Sequence, residues 1–470
     1  MLVKAFELYA EGLLERQGVP GAAVAASRNG AVVYARGFGS ADVERGIPAD
    51  PDTVFGIASV TKSFTAAAIM RLADTGRLTV EDPVLEYLPE FRMPRADAAA
   101  IRIHHFLTHT PGFPPLPSRW YAFGASARAD PDGATPPVAV DARAPIDTQE
   151  DLMAYLAGGD WTPLGPPGAQ FSYCNEGYAL LGAVVARVSG RSYVQYVTEE
   201  ILEPAGLRRT AFGPAPPWPS TGVTPATGVA TPYIVRKGNG RREIVPARTW
   251  WYSDTWNPAG GICSTVTDLV RYLELYRTGG TVLRQRILSP SSVAAMIRPH
   301  LMVGPAQGYG YGLSVLPDYR GGPLIEHGGG RRSISAHVAV APSHGLAVAA
   351  LANLADAPVR ALAHGLLNAL QDVAPETPAI AYPDFVCPEE RLAAYAGEYR
   401  SREGTVLRIA PIDGRLVIEA DGDRLSGRPV GPDAFVVNTR GTEQYVRFLI
   451  DEGDRARAVS YGGRIIARTA

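Results

Sequence analysis

TVFGIASVTKSFTAAA, residues 53–68, passes from an extended run into a helical one and sets Ser59 and Lys62 three residues apart at the change. On a helix, positions i and i+3 share a face with Cβ atoms about 5–6 Å apart, so a lysine amine reaches a hydroxyl one turn earlier. The pair reads as a nucleophile and its base. Ser-x-x-Lys is a short pattern that also arises as a helix cap followed by a surface lysine, and composition weighs against that reading here. Lysine occurs only at Lys4, Lys62 and Lys237, and the other 42 of the 45 basic residues are arginine. Ordinary surface charge in this chain is carried by arginine. A lysine beside a serine therefore points to a task that needs a removable proton, which guanidinium does not offer. At an unperturbed pKa of ~10.4 an amine is about 0.04% neutral at pH 7, and bringing it to ~7–8 takes roughly 3–4 kcal/mol of desolvation or charge repulsion. Lys62 is expected to be buried. The N–H groups and positive dipole end of the helix start would face the charge that builds on an attacked carbonyl.

The whole chain sets the frame. At 470 residues, 46% apolar and 20% charged, it has the composition of a globular protein of two or three domains. A formal net charge of −2 gives no electrostatic reason to expect nucleic acid or an anionic membrane as partner. The first segment, MLVKAFELYAEGLLERQGVPG, has helical apolar spacing broken by Glu7, Glu11 and Glu15, so it reads as a helix rather than a signal peptide. No apolar run approaches a membrane span, and the cytoplasm is the expected location. Cys174, Cys263 and Cys387 are scattered and odd in number, and are expected to be small buried residues.

Along the chain, Gly21 to Arg36 places two apolar runs around Asn29-Gly30, a hairpin signal. His104, His105 and His109 lack the glutamate of a His-Glu-x-x-His site, and packing or loop-pinning roles are expected instead. Pro114 to Ile146 reads as a long loop, with Trp120 and Tyr121 either lining a pocket or anchoring it. Tyr173-Cys174-Asn175 lies in a turn feeding an amphipathic helix, where a hydroxyl and an amide either serve chemistry or bond to backbone. Gly213 to Pro258, rich in Pro, Gly and Thr, is expected to fold over a cleft, and Ser264 or Thr265 to cap the helix that follows. From Gly308 the pattern is strand-like, with a hairpin over Ser335 to Leu351 and a helix over Pro358 to Leu370. Residues 372–385 form a Pro-rich linker. Beyond it, alternating runs with Gly and Asp turns predict a small antiparallel barrel or sandwich.

His327-Gly328-Gly329-Gly330 ends a strand, where missing side chains let backbone N–H groups approach a substrate oxygen. A lipase-like reading of the motif needs a Gly-x-Ser-x-Gly elbow, and the chain has none. Taken in order, Ser59-Val60-Thr61-Lys62, Tyr173-Cys174-Asn175 and His327-Gly328-Gly329 resemble the motifs of the serine β-lactamase and penicillin-binding protein superfamily, in particular its class C β-lactamase-like branch. The resemblance extends over roughly residues 3 to 371, including THTPGF at Thr108, LGPPGAQFSY at Leu164, PAGGICST at Pro258 and YGYGL at Tyr309. It implies an α+β fold: a β-lactamase/transpeptidase-like domain over residues 1–371, with an antiparallel sheet flanked by helices and a helical insertion. Residues 386–470 resemble the lipocalin-like barrel attached to some D-stereospecific peptidases of this branch.

The same resemblance implies roles. Ser59 would attack a carbonyl and form an acyl-enzyme, with Lys62 and Tyr173 sharing base and acid duties. Asn175 would hold Lys62 and the substrate amide, the backbone N–H groups of Ser59 and Gly330 would form the oxyanion hole beside Gly329, and His327 would stand on the opposite wall. Penicillin-active members carry Lys-Thr-Gly where this chain has His-Gly-Gly, so efficient β-lactamase activity is not expected. The expected activity is that of a serine hydrolase or acyltransferase on peptidic amides, esters or thioesters, D-residue peptidases among the models. A penicillin-binding-protein-type thioesterase that cyclises peptides, a carboxylesterase, and a catalytically silent sensor remain as alternatives. If the tail covers the cleft, Arg447, Arg464 or Arg468 would meet a substrate carboxylate. The chemistry requires no metal or organic cofactor.

Overall fold

The computed structural model describes residues 2–129, 145–213, 228–238, 241–247, 249–420, 422–439 and 442–469. Its organising element is the hairpin of β1 (Gly21–Arg28) and β2 (Ala31–Asp42). Asn29 and Gly30 both take positive φ, 51° and 84°, as a two-residue turn matched to strand twist requires. Every β1 residue except Arg28 is buried, because both faces of the strand are covered. Ala22, Val24 and Ala26 enter one apolar cluster, while Ala23 and Ala25 enter another. That is why β1 reads as a continuous apolar run rather than an alternating one.

β3 (Leu324–Arg331), β4 (Ile334–Ala341) and β5 (Leu346–Ala352) complete the centre of the sheet. The expected hairpin turns over Pro342–His344 and closes at Gly345, whose φ is 66°. The full order of nine antiparallel strands is Leu301–Met302, Gly308–Tyr309, Ser314–Leu316, β3, β4, β5, β1, β2 and Ile47–Pro48. Strands from the two ends of the catalytic region are thus neighbours, and the helices described between them pack on one face of the sheet.

Helix α1 (Leu2–Gln17) covers the back of the sheet together with the helix near residue 360, while the front carries the helical insertion. There α2 (Thr61–Asp74) is buried without a break from Thr61 to Met70, so its polar residues must find partners inside. Ser63 donates to the Val60 carbonyl at 2.8 Å and Thr65 to the Pro258 carbonyl at 2.6 Å. α3 (Asn175–Ser189) crosses the short α4 (Asn257–Gly260), and α5 (Val359–Ala369) is the back-face helix. Thr265 caps the next helix by accepting from the Asp268 amide, as expected of that segment. No helix among the described residues is long and apolar enough to cross a membrane.

The tail forms an eight-stranded antiparallel sheet in simple sequence order, from Gly397–Arg400 to β6 (Ala456–Tyr461) and β7 (Arg464–Ala467). A bridge between Tyr399 and Arg468 joins its first and last strands, so it is a nearly closed barrel and not a sandwich. Tyr399, Leu407, Ile418, Phe435 and Val459 fill it. Cys174 and Cys263 are buried as expected, but Cys387 is partly exposed because it lies on the approach to the barrel rather than in a core.

Gly182 on α3 marks where α4 crosses. A Cβ there would lie 2.1 Å from Pro258 Cγ. In an open helix Gly→Ala gains up to about 1 kcal/mol, whereas overpacking costs typically about 1–3 kcal/mol. Gly182→Ala is therefore expected to lower the free energy of urea unfolding, against the helix-propensity trend. A variant as stable as the parent would show that this crossing has slack.

Candidate active site

A short extended segment, Phe55–Gly56, pairs with Cys263 and Ser264 and delivers the chain to a single turn over Ala58–Val60 that runs straight into α2. Ala58 holds φ at 43°, a conformation that costs a non-glycine residue of order 1 kcal/mol or more. Strand β3 packs against this turn through Gly329: a Cβ there would lie 2.1 Å from the Ile57 carbonyl oxygen and 3.2 Å from the Ser59 nitrogen. Only glycine lets the two backbones approach so closely. Beside Gly330, by contrast, a Cβ would meet nothing within 4 Å.

Lys62 is fully buried. Its Nζ lies 3.1 Å from Ser59 Oγ, 2.9 Å from Asn175 Oδ1 and 2.7 Å from the Ala259 carbonyl oxygen. Burial pulls its pKa well below the ordinary lysine value, and the Arg464 guanidinium pulls the same way against Cys174 and Glu176. The two carbonyl oxygens can only accept, so they take the two N–H groups of a neutral amine and leave its lone pair for the Ser59 hydroxyl. The Ala259 carbonyl has no sequence signature, because a backbone acceptor is set by where α4 lies.

Tyr173 flanks the same amine, its ring centroid 4.9 Å from Lys62 Nζ. Its hydroxyl is buried and has no hydrogen-bond partner of ordinary geometry. Burial pushes the phenol above its usual range, opposed by the nearby Ser59 side chain and Arg464. Burial thus favours the neutral form of both groups, the phenol with its proton and the amine without its third.

A chain of hydrogen bonds fixes His327. The Cys174 amide donates to His109 Nδ1 at 3.1 Å, so His109 carries its proton on Nε2 and donates to the Tyr309 hydroxyl at 3.1 Å. Tyr309 then donates to His327 Nε2 at 3.2 Å, and His327 Nδ1–H donates to the Gly328 carbonyl at 2.6 Å. Burial, the largest cause, holds His327 down to about 3, so it is neutral across the working range of most enzymes. The loop-pinning expectation for the histidines is right in kind. His105 accepts from the Arg102 amide at a helix start, His104 bonds Tyr311, and His109, at φ 58°, ties its loop to Cys174. The link from His109 through Tyr309 to His327 has no sequence signal beyond the THTPGF and YGYGL segments in which His109 and Tyr309 lie.

The barrel reaches this site. The Tyr173 amide donates to the Gly463 carbonyl at 2.8 Å, and the Arg464 guanidinium carbon stands 5.2 Å from the Tyr173 ring centroid. Arg464 arrives paired with Glu403, Nε to Oε2 at 2.5 Å and Nη2 to Oε1 at 3.2 Å. Of the three tail arginines considered, Arg447 is exposed on a barrel strand and Arg468 donates to the Ala396 and Ala456 carbonyls. Trp120 and Tyr121 are buried, and Trp120 stacks edgewise on Trp251 and donates to the Glu403 carbonyl at 3.3 Å. They anchor the wall.

Comparison with known proteins agrees with this geometry. The chain is 31% identical over 339 residues to Esterase EstB of Burkholderia gladioli, spanning 68% of this chain and 82% of that protein. It is similar along its whole length to the structure of the octameric penicillin-binding protein homologue from Pyrococcus abyssi, with TM-score 0.69, 28% identity, and coverage of 99% of this chain and 100% of that one. A D-stereospecific amidohydrolase from Streptomyces sp. superposes with TM-score 0.59 and 25% identity, covering 75% of this chain and 94% of that one. The family model described as Beta-lactamase matches residues 6–372, and with a buried lysine on the serine of its first motif, the chain belongs to that family, as a serine hydrolase of the β-lactamase and penicillin-binding protein superfamily.

Proposed function

We propose that the enzyme hydrolyses or transfers acyl groups through a covalent Ser59 ester, on peptidic amides, esters or thioesters. The observation that carries this reading is the environment of Lys62: a buried amine held by two carbonyl oxygens, with its third position on Ser59 Oγ. Lys62 takes the Ser59 proton as Oγ bonds to the substrate carbonyl carbon. The negative oxygen that results is met by the backbone N–H groups of Ser59 and Gly330, where one lost donor typically costs ~3–4 kcal/mol. Collapse breaks the bond to the leaving atom, which receives its proton from Lys62 through Tyr173. Water or an amine then attacks the acyl-enzyme by the reverse route. Asn175 keeps Lys62 in register throughout, and His327, neutral and fixed, shapes the wall without supplying a charge.

Likeness to a D-stereospecific amidohydrolase supports acyl donors with a D-residue for this enzyme, and likeness to an esterase supports simple esters as minimal substrates. Wild type and Ser59→Ala incubated with a nitrophenyl ester, with D- and L-peptide amides and thioesters, and with a chromogenic cephalosporin separate these cases by intact and product mass. An acyl adduct on wild type alone is expected, with little turnover of the cephalosporin. No adduct and no turnover on any donor would remove the proposal and leave a ligand-binding role.

Lys62→Arg replaces the amine by a permanently charged guanidinium with no removable proton, so kcat/KM is expected to fall by about 10²–10⁴-fold. In the parent, activity requires Lys62 deprotonated and Tyr173 protonated. The pH profile of kcat/KM is therefore expected to rise through a limb well below the free-amine value of ~10.4 and to fall only at strongly alkaline pH. A rising limb centred near 10 contradicts a neutral Lys62.

A further inference from the structure

His327, Gly329 and Arg331 alternate along β3, so their side positions share the face that Gly329 turns toward Ile57 and Ser59. Arg331 lies about 6.6 Å further along the strand than Gly329. Its guanidinium carbon stands 5.8 Å from the ring centroid of Phe123, which packs in turn on Trp251 and Trp256. Those aromatics belong to the helical insertion.

Among the described residues the charge of Arg331 has no counter-ion. Its Nε is buried without a hydrogen-bond partner, and no carboxylate among the described residues pairs with the guanidinium. Burial pulls it below the ordinary arginine value, opposed only by Cys263 and Tyr252, neither of which is an acid at neutral pH. The group nevertheless stays charged. Two other arginines drawn into the fold have acids beside them: Arg464 has Glu403, and Arg360 has Glu326 at 2.8 Å. A desolvated charge left without a counter-ion is strongly unfavourable, and a cleft wall is where a ligand supplies what the fold omits.

The cleft has a direction. The leaving atom must collect its proton at the Tyr173 and Lys62 end, where His327 and Arg464 also stand. The acyl half then points the other way along β3, toward Arg331 and Phe123. The geometry points to Arg331 as the binding residue for a carboxylate carried on the acyl half of the substrate, so that the acyl donor is an acidic acyl or acidic aminoacyl group. This rests on the Ser59 acyl-enzyme reading. It places the carboxylate on the acyl side, at the far end of the site from the barrel arginines that sequence pattern alone suggested.

The test compares two series of donors with one leaving group: 4-nitrophenyl half-esters of glutaric and adipic acid, and the same half-esters with the free carboxyl capped as a methyl ester. Wild type is expected to favour the free acids by at least about tenfold in kcat/KM, as a bidentate arginine–carboxylate contact allows. Arg331→Gln is expected to lose about 10–100-fold on the free acids and stay within about twofold on the capped esters. Arg331→Lys should retain part of the preference, and Arg331→Glu should turn it toward the 4-nitrophenyl ester of 5-aminopentanoic acid. Melting temperatures taken alongside identify a variant that has not folded, and the wild-type preference is decisive by itself. Equal losses on both series, or a wild type that acylates on Ser59 without distinguishing them, would overturn the assignment of Arg331 alone. A wild type that gains no Ser59-dependent acyl mass from either series overturns the acyl-enzyme reading, and this one with it.

Discussion

One nitrogen atom holds the catalytic region together. The Lys62 amine is where three segments distant in sequence meet: the turn at Ser59, the first residue of α3 at Asn175, and the α4 carbonyl of Ala259. An ammonium in that position would be a buried cation with no carboxylate contact, whereas a neutral amine is satisfied by two carbonyls and a hydroxyl. Packing that brings the three segments together is therefore also what makes the amine basic in the useful sense.

The second constraint is how closely β3 approaches the turn at Ser59. With Gly329 against the Ile57 carbonyl, the strand and the turn form a single backbone surface, and the positive φ of Ala58 is held by neighbours on both sides. The strand separates two polar systems. On its front, His327 belongs to the hydrogen-bonded series from Cys174 through His109 and Tyr309. On its back, the next residue down, Glu326, is buried among His337, His364 and Arg360. Alternation along one strand thus keeps a charged cluster one peptide away from a neutral catalytic wall.

Much of this was legible from residues alone, and for local reasons. Asn29-Gly30 specifies its turn through backbone preference, and the scarcity of lysine made Lys62 conspicuous and implied its burial. Tyr173-x-Asn175 gained meaning only in company with Ser59 and His327. What could not be read is nonlocal. The Ala259 carbonyl is a backbone atom placed by a helix crossing, and the partnership of His109 with His327 runs through Tyr309, about 200 residues away in sequence. The contact of Gly463 with Tyr173 depends on how the barrel docks. Arg331 gave no signal among so many arginines, because an absent counter-ion is visible only once the neighbours are known.

The placement of β1 has a consequence in time. Ala22 pairs with Phe38 on one side and with Ala352 on the other, so the second neighbour of this wholly apolar strand is synthesised about 330 residues later. At about 5–20 residues per second that interval is roughly 15–65 s on the ribosome. Throughout it, the hairpin has an open apolar edge, and the insertion carrying Ser59, Lys62 and Tyr173 has no completed sheet to rest on. Pairings of such sequence separation also close slowly once the chain is free. Ser59 is thus made early in synthesis, and the sheet behind it is completed only after most of the chain has followed.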